Sequence, residues 1–83
     1  MEKLEIEFSK IAAKEYKRIP RDYHSLIDQA LKKLSEGLPV DRKPIKGEED
    51  VFRIRVGHYR IVFRVIDNTA VIMTIGPRGD VYK

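Results

Sequence analysis

The C-terminal part of the chain alternates apolar and polar residues over three successive segments, and this pattern restricts the fold more than any other part of the sequence. The segments are residues 51–56, 59–65 and 70–75. A period of two is typical of a β-strand with one buried face. Gly57-His58 and Asp67-Asn68 separate the segments, and glycine at the first central position favours a type II′ hairpin turn. The sequence therefore predicts an antiparallel meander of three strands.

The N-terminal half predicts one strand followed by two helices. Residues 4–8 alternate apolar with acidic residues, which indicates a half-buried strand. Ser9 is a suitable N-cap for a first helix, Pro20 marks the break before a second, and Asp22 is a suitable cap for that second helix. Gly37 fits the C-terminal end of the second helix. The second helix carries the clearest apolar stripe of the chain, formed by Tyr23, Leu26, Ile27, Ala30, Leu31 and Leu34.

Residues 38–50 are predicted to form a loop, because they combine Pro39, Pro44 and Gly47 with a cluster of charges. Ile45 is expected to anchor this loop to the core. The resulting order is β-α-α-β-β-β, and the first strand has to join the sheet of the meander. We therefore predict one α+β domain over residues 1–83, with a four-stranded, mainly antiparallel sheet and both helices on one face.

The meander also sorts its side chains into an apolar face and a basic face. The apolar face, which has to meet the helices, takes Phe52, Ile54, Val56, Tyr59, Ile61, Phe63 and Val65. The opposite face takes Arg53, Arg55, Arg60, Val62 and Arg64, and a two-residue turn sets Arg55 directly opposite Arg60. Like charges in that position destabilise a sheet, and a phosphate between the two guanidinium groups would relieve the repulsion. The alternative is that the long arginine stems simply cover apolar surface.

The distribution of charge agrees with a polyanionic partner. Residues 1–50 hold 11 basic and 11 acidic side chains, whereas residues 51–83 hold 6 basic and 2 acidic ones, so the whole net charge of +4 lies in the C-terminal part. Five of those six basic residues are arginine, which favours bidentate contact with phosphate.

Several classes of protein are excluded by the sequence. It has no cysteine, so disulfides and thiolate metal sites are absent. No apolar run approaches the roughly 20 residues of a membrane span, and the acidic N-terminus is unlike a signal peptide, so we expect a cytoplasmic protein without a membrane partner. No phosphate-binding glycine loop, metal-ligand cluster or catalytic triad is visible, and no cofactor is predicted. His24, His58 and Tyr82 are weaker candidates, each of which spacing alone assigns to an ordinary structural position.

Four stretches of the sequence resemble the RelE/ParE toxin superfamily, and the resemblance covers nearly the whole chain. They are Phe8-Ser9-Lys10, Lys46-Gly47, the run from Phe52 to Ile61, and the C-terminal run Gly76-Pro77-Arg78-Gly79-Asp80-Val81-Tyr82. Members are the toxins of bacterial and archaeal toxin–antitoxin pairs. RelE members cleave messenger RNA in the ribosomal A site, and ParE members inhibit DNA gyrase without being enzymes.

By position, the resemblance implies catalytic roles for Arg60, Arg78 and Tyr82. Arg60 matches an arginine that holds the scissile phosphate, Arg78 a second catalytic arginine, and Tyr82 a tyrosine that stacks on a base. Arg53 and Arg55 match residues that contact the RNA backbone, and we add Arg64, which lies on the same face, as a further RNA-binding residue.

The resemblance implies a metal-independent, ribosome-dependent endoribonuclease with a cognate antitoxin as partner. Pro77 departs from the family, because many relatives have histidine or lysine there, and the glutamate and histidine that some relatives use as base and acid have no clear counterpart. The alternatives are a ParE-like gyrase inhibitor and a RelE-fold protein that binds RNA but has lost its activity.

Overall fold

The computed structural model describes residues 3–77 of the chain. Its elements are β1 (Glu5–Phe8), α1 (Lys10–Arg18), α2 (Arg21–Glu36), β2 (Arg42–Pro44), β3 (Val51–Val56), β4 (Tyr59–Ile66) and β5 (Thr69–Pro77). The five strands form one sheet in the order β1-β5-β4-β3-β2. β1 runs parallel to β5, and the other neighbours are antiparallel. The predicted α+β class and the meander are therefore confirmed, and no helix among residues 3–77 is long and apolar enough to cross a membrane.

The sheet has a fifth strand, β2, in the segment that the sequence predicts to be a loop. β2 pairs with β3 so that Arg42 lies opposite Ile54, Lys43 opposite Arg53, and Pro44 opposite Phe52. Three residues are too few to show an alternating pattern, and proline argues against a central strand. Pro44 is tolerated here because β2 is an edge strand with a partner on one side only.

The predicted caps are confirmed at two of three positions. The hydroxyl of Ser9 accepts the backbone N–H of Ala12 at 3.0 Å, which caps α1. Gly37 ends α2 with a left-handed φ of 76°, a conformation that glycine adopts without steric cost. The prediction that Asp22 caps α2 is wrong, because Pro20 occupies the N-cap position and Asp22 lies in the first turn. There its carboxylate still interacts favourably with the helix dipole.

The main core lies between the two helices and the apolar face of the sheet, as predicted. Its fully buried members include Ala12, Ile27 and Leu34 from the helices and Ile54, Ile61, Phe63, Ile72 and Ile75 from the strands. No polar or charged residue among those described is buried in it. Burial of each such side chain contributes about 1.5–3 kcal/mol, so this face fixes which side of each strand turns outward.

The opposite face of the sheet is partly covered by the segment that follows β2. Ile45, Val51 and Val62 form a second, smaller buried cluster there. The backbone N–H of Ile45 donates to the carbonyl of Val51 at 2.9 Å, which holds the segment against the sheet. Ile45 therefore anchors this segment, but to the second face rather than to the main core.

Beyond Phe8 the edge of β5 has no neighbouring strand, and α1 covers it instead. Ser9 donates its hydroxyl to the carbonyl of Met73 at 2.9 Å. The carboxylate of Glu15 accepts the hydroxyl of Thr74 at 2.6 Å and the backbone N–H of Ile75 at 2.9 Å through the same oxygen. Unpaired edge groups are costly when they are partly buried, so these two side chains replace a missing strand.

We expect the substitution Glu15→Ala to lower the free energy of unfolding by about 1–3 kcal/mol, because it leaves a hydroxyl and an N–H of β5 without a charged acceptor. Glu15→Gln should lose less, since its amide oxygen can still accept both bonds, although without the negative charge. Urea denaturation measures both, with the exposed neighbour Lys14→Ala as control. Equal stability of the Glu15→Ala and Lys14→Ala variants would contradict this account.

Candidate nucleic-acid interface

The β3–β4 hairpin sets the geometry of the arginines. Its two-residue connection begins at Gly57, whose φ of 58° is what the first central position of a type II′ turn requires. The strands therefore pair Val56 with Tyr59 and Arg55 with Arg60, as the sequence predicts. The two arginines are cross-strand neighbours on the side of the sheet that faces away from the helices.

The structure brings four basic residues together on that side, and we call Lys43, Arg53, Arg55 and Arg60 the basic face. Lys43 lies opposite Arg53, and Arg55 lies opposite Arg60, in two adjacent rows across the sheet. Neighbouring strands are about 4.8 Å apart, and successive residues on one face of a strand are about 7 Å apart. All four side chains thus start within a patch that a short stretch of phosphate backbone can span.

Two nitrogens of the basic face are buried without a hydrogen-bond partner among residues 3–77. They are Nη1 of Arg53 and Nε of Arg60. A buried donor without an acceptor costs about 1–3 kcal/mol, and more when it is charged. An anionic oxygen placed on this face of the sheet, next to the arginine side chains, would satisfy such donors with charge-assisted hydrogen bonds. The arrangement favours binding of an anion over the alternative that the arginines only cover apolar surface.

Arg55 differs from the other two arginines because it has an acidic neighbour. Nε of Arg55 lies 3.8 Å from Oδ2 of Asp41, and its backbone N–H donates to the carbonyl of Asp41 at 3.2 Å. The sequence indicates a hairpin face without any acid. It does not reveal Asp41, because Asp41 immediately precedes β2, the strand that the sequence predicts to be part of a loop. Lys43 was missed for the same reason. An alternating polar pair at residues 41 and 43 is too short a signal to reveal either.

Arg64 points to the same side of the sheet but lies away from the basic face. It is four residues from Arg60 along β4, which corresponds to about 13 Å. The buried Val62 lies between them, and the cross-strand neighbours of Arg64 are Val51 and Val71. The structure thus separates Arg64 from the group that the sequence places together.

Arg78 and Tyr82, two of the three predicted catalytic residues, lie outside the described residues. The strand that leads to them ends with Gly76 opposite Arg60 and with Pro77 opposite Tyr59. Gly76, which is buried, is therefore the residue of β5 that lies beside the basic face, and in the sequence it is two residues before Arg78.

The two histidines lie elsewhere. His58 is exposed in the hairpin turn, with its ring 6.5 Å from that of Tyr23. His24 is half-buried between the helices, where its ring stacks on Tyr16 at 4.5 Å and its Nε2 lies 2.9 Å from the carbonyl of Tyr16. Tyr16 also donates its hydroxyl to Asp28 at 2.6 Å, and this bond, together with burial and the charge of Asp28, raises the pKa of the phenol. These contacts join α1 to α2 and have no part in the basic face.

We expect phosphate to stabilise the protein through the basic face. At constant ionic strength, phosphate at about ten times its Kd adds roughly 1.4 kcal/mol, which raises the Tm of a chain of this size by several degrees. The shift should be smaller in Arg60→Gln and unchanged in Arg21→Gln, which removes an exposed arginine at the start of α2. Thermal denaturation with phosphate or chloride measures it. General salting-out acts on all variants alike, so equal shifts in the three proteins would mean that no phosphate binds here.

Comparison with known proteins places the chain in a family. The family model described as the ParE toxin of the type II toxin–antitoxin system parDE matches residues 6–82. Among characterised proteins, the chain is similar to Toxin RelE3 of Methanocaldococcus jannaschii, with 29% identity over 84 residues, covering 95% of this chain and 96% of the relative.

Two solved structures are similar in sequence as well as in fold. One is the RelB–RelE antitoxin–toxin complex from Methanococcus jannaschii, with 30% identity, a TM-score of 0.71, and coverage of 87% of this chain and 89% of the matched one. The other is the toxin–antitoxin complex RelBE2 from Mycobacterium tuberculosis, with 26% identity, a TM-score of 0.75, and coverage of 96% and 97%. Both relatives are thus matched over nearly their full length.

Proposed function

The chain belongs to the ParE toxin family of type II toxin–antitoxin systems, and we propose that it is a ribosome-dependent endoribonuclease that cuts messenger RNA and thereby inhibits translation. The family and the RelE-type relatives support the role of toxin. The basic face supports RNA as the target. This activity requires a cytoplasmic protein that meets ribosomes.

The observation that carries the proposal is the pair of buried guanidinium nitrogens on Arg53 and Arg60, neither of which has a hydrogen-bond partner among residues 3–77. Both residues lie on the same face of the β3–β4 hairpin, Arg53 two residues from Arg55 on β3 and Arg60 directly opposite Arg55 on β4. A phosphodiester supplies two anionic oxygens that accept such hydrogen bonds. The backbone of RNA provides a charged acceptor at every nucleotide, so one strand can meet several of these arginines at once.

In the proposed reaction, the 2′-hydroxyl of one nucleotide attacks the adjacent phosphorus. The bond from the 2′-oxygen to phosphorus forms, and the bond from phosphorus to the 5′-oxygen of the next nucleotide breaks. The 2′-hydroxyl loses its proton, the 5′-oxygen gains one, and a 2′,3′-cyclic phosphate remains. Charge develops on the non-bridging oxygens during attack, and Arg60 and Arg78 are proposed to stabilise it.

Arg53 and Arg55 are proposed to hold the RNA backbone, Arg64 to extend this contact, and Tyr82 to stack on a base. Arginine stays protonated, so it cannot accept the proton of the 2′-hydroxyl. A phenol can take part in proton transfer when neighbouring guanidinium groups lower its pKa from about 10.

With no ordinary general base among the proposed residues, much of the rate has to come from holding the 2′-oxygen in line with the leaving group. Correct orientation alone can contribute many orders of magnitude, and the ribosome imposes a fixed path on the messenger. Cleavage of free RNA is therefore expected to be slow, with or without a divalent metal. Among residues 3–77, no group of three histidine or acidic side chains is placed to bind a metal ion.

A cognate antitoxin is the proposed natural inhibitor. The similar structures from Methanococcus jannaschii and Mycobacterium tuberculosis are toxin–antitoxin complexes. An amphipathic segment with acidic residues would complement the charge of the basic face and satisfy the same donors as RNA.

A second candidate function is inhibition of DNA gyrase without catalysis, which the match to the ParE family model favours. The two candidate functions differ in which nucleic acid is damaged in the cell. A gyrase inhibitor stops replication and damages DNA but leaves messenger RNA intact. A third candidate, a RelE-fold protein that binds RNA without cutting it, would cause no growth arrest on expression.

We expect the wild-type protein to cut a defined messenger RNA within the A-site codon of programmed ribosomes. Arg60→Ala should lose at least two orders of magnitude in rate, because one transition-state donor is worth about 10²–10³-fold. Tyr82→Phe should lose activity as well if the hydroxyl transfers a proton, and should retain it if the ring only stacks. Primer extension on the cut messenger reads out both variants, and Arg21→Gln is a matched control that removes an arginine outside the basic face.

The outcomes separate the three candidate functions. Cuts that depend on the ribosome and disappear in Arg60→Ala establish the endoribonuclease. Absence of cutting together with inhibition of supercoiling by purified gyrase establishes the ParE-like function. Absence of both, with no growth arrest, leaves a binding protein without toxicity. Rapid metal-dependent cutting of free RNA would contradict the proposed mechanism itself.

A further inference from the structure

Among residues 3–77, Asp41 is the one acidic residue whose carboxylate lies within salt-bridge distance of an arginine. Its backbone carbonyl accepts the N–H of Arg55, so the start of β2 fixes Asp41 against β3. The carboxylate then lies 3.8 Å from Nε of Arg55, while Arg53 and Arg60 have buried nitrogens without a partner in residues 3–77. Of the three arginines of the basic face, Arg55 thus has an acidic neighbour among the described residues, whereas Arg53 and Arg60 have none.

We propose that Asp41 is an internal competitor of the polyanion, occupying the guanidinium group of Arg55 and so limiting the affinity of the basic face for nucleic acid. This inference rests on the proposed function, in that it takes RNA as the polyanion. It assigns an affinity-determining role to a residue that is neither catalytic nor a ligand of the phosphate.

The exposure of the pair explains why Asp41 limits binding without blocking it. The side chains of Arg55 and Asp41 are 42% and 60% exposed, so water and salt screen their attraction. An exposed ion pair of this kind is weak, and a phosphate that is held by Arg53 and Arg60 can displace the carboxylate from Arg55. RNA that makes only one or two phosphate contacts with the basic face does not gain enough free energy to offset the loss of the ion pair between Asp41 and Arg55.

Electrostatic repulsion acts in the same direction. Each phosphate that approaches Arg55 also approaches the negative charge of Asp41, which lowers the local positive potential. Removal of that charge should therefore strengthen binding and add about one phosphate contact. For a single strand, one further contact steepens the dependence of log K on log salt by about 0.7.

The chain offers a matched control for this charge. Asp67 lies in the turn between β4 and β5, about 23 Å from Arg60 along the strand. Its φ of 54° is left-handed, a conformation that asparagine tolerates as well as aspartate. Asp67→Asn thus changes the net charge by the same amount as Asp41→Asn, without strain and away from the basic face.

The experiment measures binding of a fluorescein-labelled oligouridine by anisotropy over a series of sodium chloride concentrations. We expect Asp41→Asn to bind about two- to fivefold more tightly than Asp67→Asn at low salt, the range that corresponds to an exposed ion pair. Its salt dependence should be steeper by about 0.7. In the background Arg55→Gln, the gain from Asp41→Asn should fall to the smaller part that comes from repulsion of the phosphates, because the group for which Asp41 competes is gone. The Tm of each variant shows that it is folded.

Three results would overturn the inference: equal affinities of Asp41→Asn and Asp67→Asn, a gain that is as large in the Arg55→Gln background as in the wild-type background, or no binding by either the wild type or Asp41→Asn. The readout is independent of the proposed function, because it uses free RNA and no ribosome. If Asp41→Asn gains affinity through Arg55 but the wild type cuts no messenger, the proposed catalysis fails and the role of Asp41 stands.

Discussion

The register of the β3–β4 hairpin is the constraint on which the rest of the structure depends. The main core requires Ile54, Ile61 and Phe63 on the helix side of the sheet, and a slip of one residue would turn each of them to the other face. The two-residue turn at Gly57 leaves only one pairing compatible with that burial. Arg55 and Arg60 then have to stand opposite each other on the second face. The hydrophobic effect thus enforces a contact that electrostatics alone would oppose.

The cost of this contact is reduced by neighbouring segments. Asp41 neutralises part of the charge of Arg55 from one side. Ile45 covers Val51 and Val62 and gives the second face a small apolar cluster of its own. The arginines therefore stand on paired strands rather than on a loop, while Nη1 of Arg53 and Nε of Arg60 have no hydrogen-bond partner within residues 3–77. Preorganised donors of this kind are effective because little has to rearrange when an anion binds.

The sequence predicts the parts of this structure that depend on long-range periodicity. The helices, the meander, the apolar face and the pairing of Arg55 with Arg60 all follow from patterns that repeat over six or more residues. β2 could not be predicted, because three residues that include Pro44 carry no periodic signal and form a strand only through pairing with β3. Asp41 and Lys43 were missed with it, since their closeness to the arginines comes entirely from that pairing. Alternation alone also cannot show that Val62 isolates Arg64, because a period of two sorts side chains by face and not by distance along the strand.

The fold by itself does not decide between cutting RNA and inhibiting gyrase, since both activities belong to the superfamily that the chain resembles. The decision has to come from side chains. The proposed roles of those on the basic face differ from the proposed roles of Arg78 and Tyr82. The proposed role of the basic face is to bind and orient a polyanion, and a guanidinium group is a poor proton acceptor. The proposed chemistry therefore depends on Arg78 and Tyr82, which follow Gly76, the residue paired with Arg60, in the sequence. The proposed endoribonuclease assigns a role to both residues, whereas inhibition of gyrase without catalysis requires neither a donor for a transition state nor a group that takes part in proton transfer.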